Sequence, residues 1–215
     1  MMMKAIIILS LFFFSSCESQ VKKFESKPFK EPIKVNMEAN REVATFAGGC
    51  FWCTEAIFLE VKGVESVTSG YIGGTIPNPT YKEVCTGTTG HAEGIQIVYN
   101  PQEVQYENLL EIFFGTHEPT TLNRQGADVG TQYRSEIFYY SADQKEKAEN
   151  YIQLIEKEGL YAKPIVTQVS AATKFYPAED YHQNYYNENA TQGYCQMVIA
   201  PKLEKLRKYY KSKLK

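Results

Sequence analysis

The sequence predicts an α/β protein: a two-layer α/β sandwich around one mixed sheet, in a single domain. Short β-prone runs alternate with longer runs of helical apolar spacing, and no internal repeat interrupts them. A chain of 215 residues, against roughly 100 to 200 per domain, leaves room for one core plus extensions. With 43% hydrophobic and 22% charged residues the composition is that of a globular protein. Lys and Arg number 23 against 25 Asp and Glu, a net charge of -2, so no broad cationic surface is available for a phosphate backbone and nucleic acid is not expected as a partner.

In chain order, residues 1–16 read as a signal peptide: a short charged start, the ten-residue apolar run AIIILSLFFF, then Ser15 and Ser16. Ten apolar residues are too few to span a bilayer. Cys17 follows the small pair directly and resembles the acylated cysteine of a bacterial lipoprotein box, although Phe14 replaces the usual aliphatic residue. This predicts an exported, membrane-anchored lipoprotein facing the periplasm or cell exterior, touching the membrane only through that anchor. Residues 17–41 are polar and Pro-containing, a flexible tether that spans roughly 25 to 30 Å as a coil. Residues 42–215 form the folded domain, expected as a monomer.

Within that domain, residues 43–47 are a strand, Gly48-Gly49 a turn, and residues 50–61 a helix with apolar Phe51, Ile57, Phe58 and Val61. Residues 64–72 are a second strand closed by Gly73-Gly74, and the Pro, Thr and Gly content of residues 75–90 marks a loop. Glu93, Ile95, Ile97 and Tyr99 alternate on one face of a third strand, which Pro101 ends. Residues 104–114 are a helix, and 117–134 a long polar loop of the kind that carries function. Residues 137–140 are a strand, and Ser141, with Gln144 three residues on, caps a helix running to Gly159. Residues 165–170 are the last strand, 178–187 a tyrosine-rich helix, and 201–210 a basic helix. The run from Lys202 to Lys215 holds seven basic residues and one acid, suited to a solvated helix end or to anionic lipid headgroups.

The chemistry centres on GGCFWCTE. A cysteine after a strand and a double-glycine turn enters the first turn of a helix, where unpaired N–H groups favour a thiolate. The dipole lowers a thiol pKa of ~8.5 by about one unit, which makes Cys50 the nucleophile. Cys53 completes a C-x-x-C pair that by itself suits a dithiol oxidoreductase or half a zinc site. Cys85 and Cys195 stand singly, so no metal is expected. Phe51 and Trp52 supply an apolar wall for a small group such as a methyl. Glu93, facing the core, is a carboxyl that burial would keep protonated as an acid.

GCFWCTE, YKEVCTGTTGHAEG from residue 81, TTLNRQGADVGTQYRS from residue 120, and YHQNYY with GYC ending at Cys195 together resemble peptide methionine sulfoxide reductase A over about residues 42–210. The resemblance implies reduction of the S epimer of methionine sulfoxide, in oxidised proteins or free, with no bound cofactor. Cys50 would attack, Glu93 would protonate the oxygen, and Tyr81, Asp128 and Tyr133 would bind it beside Phe51 and Trp52. Attack leaves a sulfenic acid that a second thiol closes to a disulfide, reopened by thioredoxin or a related dithiol. Cys195, on a bendable tail after Gly193, is expected to resolve, with Cys53 the alternative because its helical spacing from Cys50 exceeds ordinary disulfide geometry. His91 is read as a structural, hydrogen-bonded residue. A general dithiol oxidoreductase using the Cys50/Cys53 pair, indifferent to Glu93, is the competing function; a non-catalytic surface lipoprotein is another.

Overall fold

The computed structural model describes residues 40–215, so the signal peptide, Cys17 and the tether up to residue 39 lie outside the described residues. β1 (Glu42–Gly48) and β3 (Ala92–Tyr99) form the centre of a six-stranded sheet with β2 (Val64–Ile72), β6 (Ser135–Tyr139), β7 (Gln168–Ala171) and β8 (Tyr176–Pro177). The order is β7-β6-β1-β3-β2-β8. Only β6 and β7 run parallel, so the sheet is mixed.

Strand alternation puts Phe46, Tyr71, Ile95, Ile97 and Tyr99 on the face that receives the helices, where all are fully buried. α1 (Phe51–Leu59), α3 (Tyr106–Thr116), α4 (Ala142–Lys157) and α6 (Ala200–Tyr209) all contribute to that cluster, through Phe58, Phe113, Ala148 and Leu206 among others. Phe46 stacks on Phe113 with ring centroids 4.9 Å apart, a contact whose loss in Phe46→Ala costs about 3–5 kcal/mol. The opposite face carries a small cluster of Ala47, Ile72, Ala92 and Phe138. One helical layer on one sheet is the architecture the alternation predicts.

Three sequence expectations give way. The 75–90 loop contains α2 (Tyr81–Cys85), started by a Thr80/Glu83 capping box. The 117–134 loop folds a small hairpin, β4 (Arg124–Gln125) against β5 (Asp128–Val129), and a 3₁₀ turn at Thr131–Tyr133. The tyrosine-rich helix at 178–187 is absent: the chain makes a 3₁₀ turn at Asp180–His182, turns through left-handed Asn184 (φ 53°), and gives only α5 (Tyr185–Glu188). Asp, His, Asn and Tyr have low helix propensity, and side chains from other elements claim this backbone. Gln183 pairs with both backbone groups of Ser69, and Glu55 accepts from the N–H groups of Asn184 (2.9 Å) and Tyr185 (3.4 Å).

Much of the basic tail is tied to the domain rather than free. Arg207 pairs with Glu60, Lys213 with Glu111, and the Lys215 ammonium donates to the Leu59 carbonyl. No helix among the described residues is long and apolar enough to cross a membrane.

Candidate active site

β1 delivers the chain to Gly48-Gly49, and the turn requires glycine at position 49. Its φ is +90°, and a β-carbon there would lie 2.5 Å from the Gln125 side chain. Cys50 is therefore the N-cap of α1, with Phe51 in the first turn, and the Cys53 N–H donates to the Cys50 carbonyl at 3.1 Å. β3 runs alongside. Its register sets Glu93 opposite Tyr71, and the Glu93 carboxyl accepts from the Phe51 N–H at 3.1 Å. The acid is thus held at the N-terminus of the helix that carries the nucleophile.

A cavity of about 160 Å³ opens between these elements, lined by Cys50, Phe51, Trp52, Tyr81, Glu93, Asp128, Tyr133 and Tyr194. All seven residues expected for attack, protonation and substrate binding line it. A larger depression of about 620 Å³, around Arg41, Gln96, Tyr140 and Phe175, contains none of them and no cysteine. Tyr81 comes from α2, whose first N–H is held by Glu179 at 3.0 Å. Asp128 comes from β5 and Tyr133 from the 3₁₀ turn after it.

Electrostatics separate the groups by role. Glu93 is 1% exposed, and burial pushes its carboxyl up to about 8 despite the opposing bond from Phe51, so it holds its proton at neutral pH. Burial likewise raises the phenols of Tyr81 and Tyr133, with Glu93 adding to the effect, and keeps them as hydrogen-bond donors.

The thiols differ from expectation. Instead of being lowered by the helix end, the Cys50 thiol is pushed well above its ordinary range, first by its hydrogen bond with Cys53 and then by burial. The same hydrogen bond, helped by the Lys202 ammonium and opposed by burial, brings Cys53 down to about 7. The two titrate as one unit that gives up a single proton near neutrality and resists losing the second. The N-terminal dipole, about 0.3 to 1 kcal/mol, is outweighed by this pairing.

Cys195 does not lie on a loose tail. It opens a π-helical turn, Cys195–Ile199, that runs into α6; it is fully buried, and the nearby thiol that acts on it is Cys53, not Cys50. Gly193 begins the helical run that carries it, and packing fixes the cysteine. Cys85 is exposed on α2, beside the Tyr81 hydroxyl. All four described cysteines are free thiols, and no group of three or more His, Cys, Asp or Glu among the described residues converges as a metal site would need.

Three further residues shape the pocket and were not assigned from sequence. The Trp52 indole N–H donates to His182 Nδ1 at 3.1 Å, and Tyr185 stacks on the indole at 3.7 Å with 7° between planes. Since Nδ1 accepts, the neutral ring carries its proton on the buried Nε2, and burial lowers the His182 pKa and favours that form. Tyr194 meets Trp52 edge-on at 5.9 Å and donates its hydroxyl to Asp128 Oδ2 at 2.9 Å. YHQNYY and GYC contain all three, but spacing in an irregular segment does not say which ring faces inward. His91 fulfils its structural expectation: Nδ1 accepts from the Gly74 N–H and Nε2 donates to the Ile76 carbonyl.

Comparison with known proteins agrees with the pocket. A family model described as peptide methionine sulfoxide reductase matches residues 42–214. A peptide methionine sulfoxide reductase MsrA of Deinococcus radiodurans is 55% identical over 177 residues, 82% of this chain and 86% of the relative. One from Rhodopirellula baltica is 53% identical over 189 residues, 87% and 97% of the two chains. Among solved structures, reduced Mxr1 from Saccharomyces cerevisiae superposes with a TM-score of 0.66 at 33% identity, covering 73% of this chain and 90% of that one.

Proposed function

The chain belongs to the peptide methionine sulfoxide reductase family, and from that premise we propose how its residues divide the reaction. It is an oxidoreductase that reduces methionine sulfoxide to methionine by thiol chemistry. The observation that carries the assignment of roles is that buried Glu93 lines the same cavity of about 160 Å³ as Cys50, with Phe51, Trp52, Tyr81, Asp128 and Tyr133 around them.

The substrate methyl packs against Phe51 and Trp52, and its oxygen points to Glu93, Tyr81, Tyr133 and Asp128. As the sulfur arrives, Cys50 passes its proton to the Cys53 thiolate and attacks. Glu93 protonates the oxygen, which a free sulfoxide cannot release as an oxide. A positioned acid of this kind is worth about 10² to 10⁴ in rate, or ~3 to 5 kcal/mol. The substrate sulfur gains two electrons and leaves as methionine, while Cys50 becomes a sulfenic acid.

For the second step the helical position and the electrostatics of the thiols favour Cys53 over Cys195. Cys53 is one turn along α1 from Cys50, its N–H on the Cys50 carbonyl at 3.1 Å, and the two thiols act on each other, whereas the thiol that acts on Cys195 is Cys53. Cys53 attacks the sulfenic sulfur, the S–O bond breaks, and water leaves. Cys195 is placed to take the disulfide over from Cys53, and a thioredoxin-like dithiol returns the thiols to the reduced state. The substrates are oxidised proteins or the free amino acid, as the S epimer. Incubation with each epimer and dithiothreitol, scored by methionine release, tests the assignment. Release from the S epimer alone is expected; equal release from both epimers, or none, would overturn it.

The apolar run before Ser15-Ser16-Cys17 supports export with Cys17 acylated, and the domain acting as a monomer at the end of its tether. Cys17→Ser would then move the protein from the membrane to the soluble fraction. A parent protein already soluble would end this reading.

A further inference from the structure

The eighth residue of the cavity has no role in the steps above. Tyr194 has one hydroxyl proton and gives it to Asp128 Oδ2 at 2.9 Å, so toward the thiols beside it, Cys53 at 3.9 Å and Cys50, its oxygen can only accept. The hydroxyl's contacts are all to groups of the reaction, and none is to the scaffold. The ring alone, edge-on to Trp52, would need no hydroxyl.

Closing the disulfide requires a proton to leave Cys53 and another to reach the departing oxygen of Cys50. The chain Sγ–H···Oη–H···Oδ2 links the first of these groups to a carboxyl in the same cavity as the second.

We propose that Tyr194 is a catalytic residue of the disulfide-closing step, carrying the Cys53 proton to Asp128. Cys53 gives its proton to Tyr194 Oη while Tyr194 gives its own to Asp128 Oδ2. The Cys53 sulfur then bonds to Cys50 Sγ, the S–O bond breaks, and the hydroxide takes the proton from Asp128 and leaves as water. A sulfenic acid and a thiol become a disulfide and one water, with no outside oxidant. The two Tyr194 transfers are concerted, because burial and the adjacent thiols push its phenol far up and a free tyrosinate does not form. Oxidation of Cys50 removes the S–H that had favoured ionised Cys53, so the relay acts when the thiol most needs a proton acceptor.

The groups facing Cys53 are Cys50 on α1, Glu93 on β3, Asp128 on β5, Tyr194 and Cys195 at the tail turn, and Lys202 on α6. Of these, only Tyr194 joins the thiol to an acceptor through a hydroxyl that is never ionised.

This inference rests on Cys53 as the closing thiol, and single-turnover rapid quench separates the two claims. Free thiols, trapped sulfenic acid and methionine are followed after mixing with the S epimer. In Tyr194→Phe, disulfide closure at pH 7 should slow by about 10²-fold relative to methionine formation, so that sulfenic acid accumulates. The defect should shrink as pH rises and the thiol ionises unaided, a profile that mere loosening of the pocket would not give. Should Tyr194→Phe fail to fold, the parent enzyme measured in heavy water serves instead, with closure expected to slow. Closure at the parent rate and pH dependence in Tyr194→Phe, or no change in heavy water, would overturn the relay while leaving Cys53 as the closing thiol. Normal closure in Cys53→Ser would overturn both.

Discussion

Cys50, Phe51 and Glu93 stand on regular elements, a strand, its turn and the helix that follows, locked by the β1–β3 register and by the Phe51–Glu93 hydrogen bond. Asp128, Tyr133 and His182 stand on a two-residue strand and 3₁₀ turns, held by side-chain hydrogen bonds such as those of Glu55, Gln183 and Tyr194. Nucleophile and acid thus sit where the backbone itself fixes distance, and the groups that shape the pocket sit where side chains do. Damage on the first side should remove chemistry with little change in binding. On the second side it should weaken fit first, because each bond positions a whole segment.

The largest expected effect is on the regular side. Cys50→Ser should abolish methionine formation with the far-UV spectrum and melting temperature retained, since no other group lies where it can attack. Residual turnover above about a tenth of the parent rate, as judged against the loss of a nucleophile, would remove Cys50 from the mechanism. Next, Glu93→Gln should slow pre-steady-state methionine formation by at least ~10², and Asp128→Asn by less. Equal small effects would place the acid elsewhere and erase the contrast between the two sides.

Glu93 also separates function from stability. Its folded carboxyl is raised from 4.5 to about 8, so the fold binds that proton more tightly than the unfolded chain does. The resulting stabilisation is complete below about 4.5 and is lost as pH rises through about 8. Glu93→Gln should therefore melt higher than the parent at pH 8, measured by calorimetry, while being the slower enzyme. The same titration bounds activity. The rate of methionine formation should fall below about 7 as the thiol pair is protonated, and above about 8 as Glu93 ionises. A profile still rising above that window would mean Glu93 is not the proton donor.

The smallest effect belongs to the irregular side. His182→Phe removes the acceptor of the Trp52 N–H, and one such bond at about 1 kcal/mol predicts a rise in KM of roughly fivefold with kcat much less affected. Trp52 is the only tryptophan of the chain, so its emission should shift in the same variant. A fall in kcat with KM unchanged would put His182 in the chemistry instead.

The same division decides what could be read from sequence. The strand at residues 64–72 matches β2 residue for residue, and Glu93 was placed on the core face by alternation with Ile95 and Ile97, because period-two patterning is local. The Thr80-x-x-Glu83 capping box was equally local and would have revealed α2 within a segment expected to be loop. Asp128 and Tyr133 were reached only through resemblance, and Tyr194, His182 and Tyr185 were left without roles. Their orientation depends on partners 66 residues or more away in the chain, such as Asp128 for Tyr194 and Trp52 for His182, which no local pattern encodes. The thiols differ from the sequence reading for a related reason. The dipole at Cys50 follows from the glycine turn, but the electrostatic coupling of Cys50 to Cys53, and the packing that buries Cys195, have no local signal.

The central claim is that one buried pair at the start of α1 performs both attack and closure. The direct test is peptide mapping of the enzyme quenched after a single turnover on the S epimer, with no reductant present. The account predicts one methionine per enzyme and a Cys50–Cys53 disulfide as the first bond formed. A Cys50–Cys195 disulfide forming first, with Cys53 still a free thiol, would contradict it.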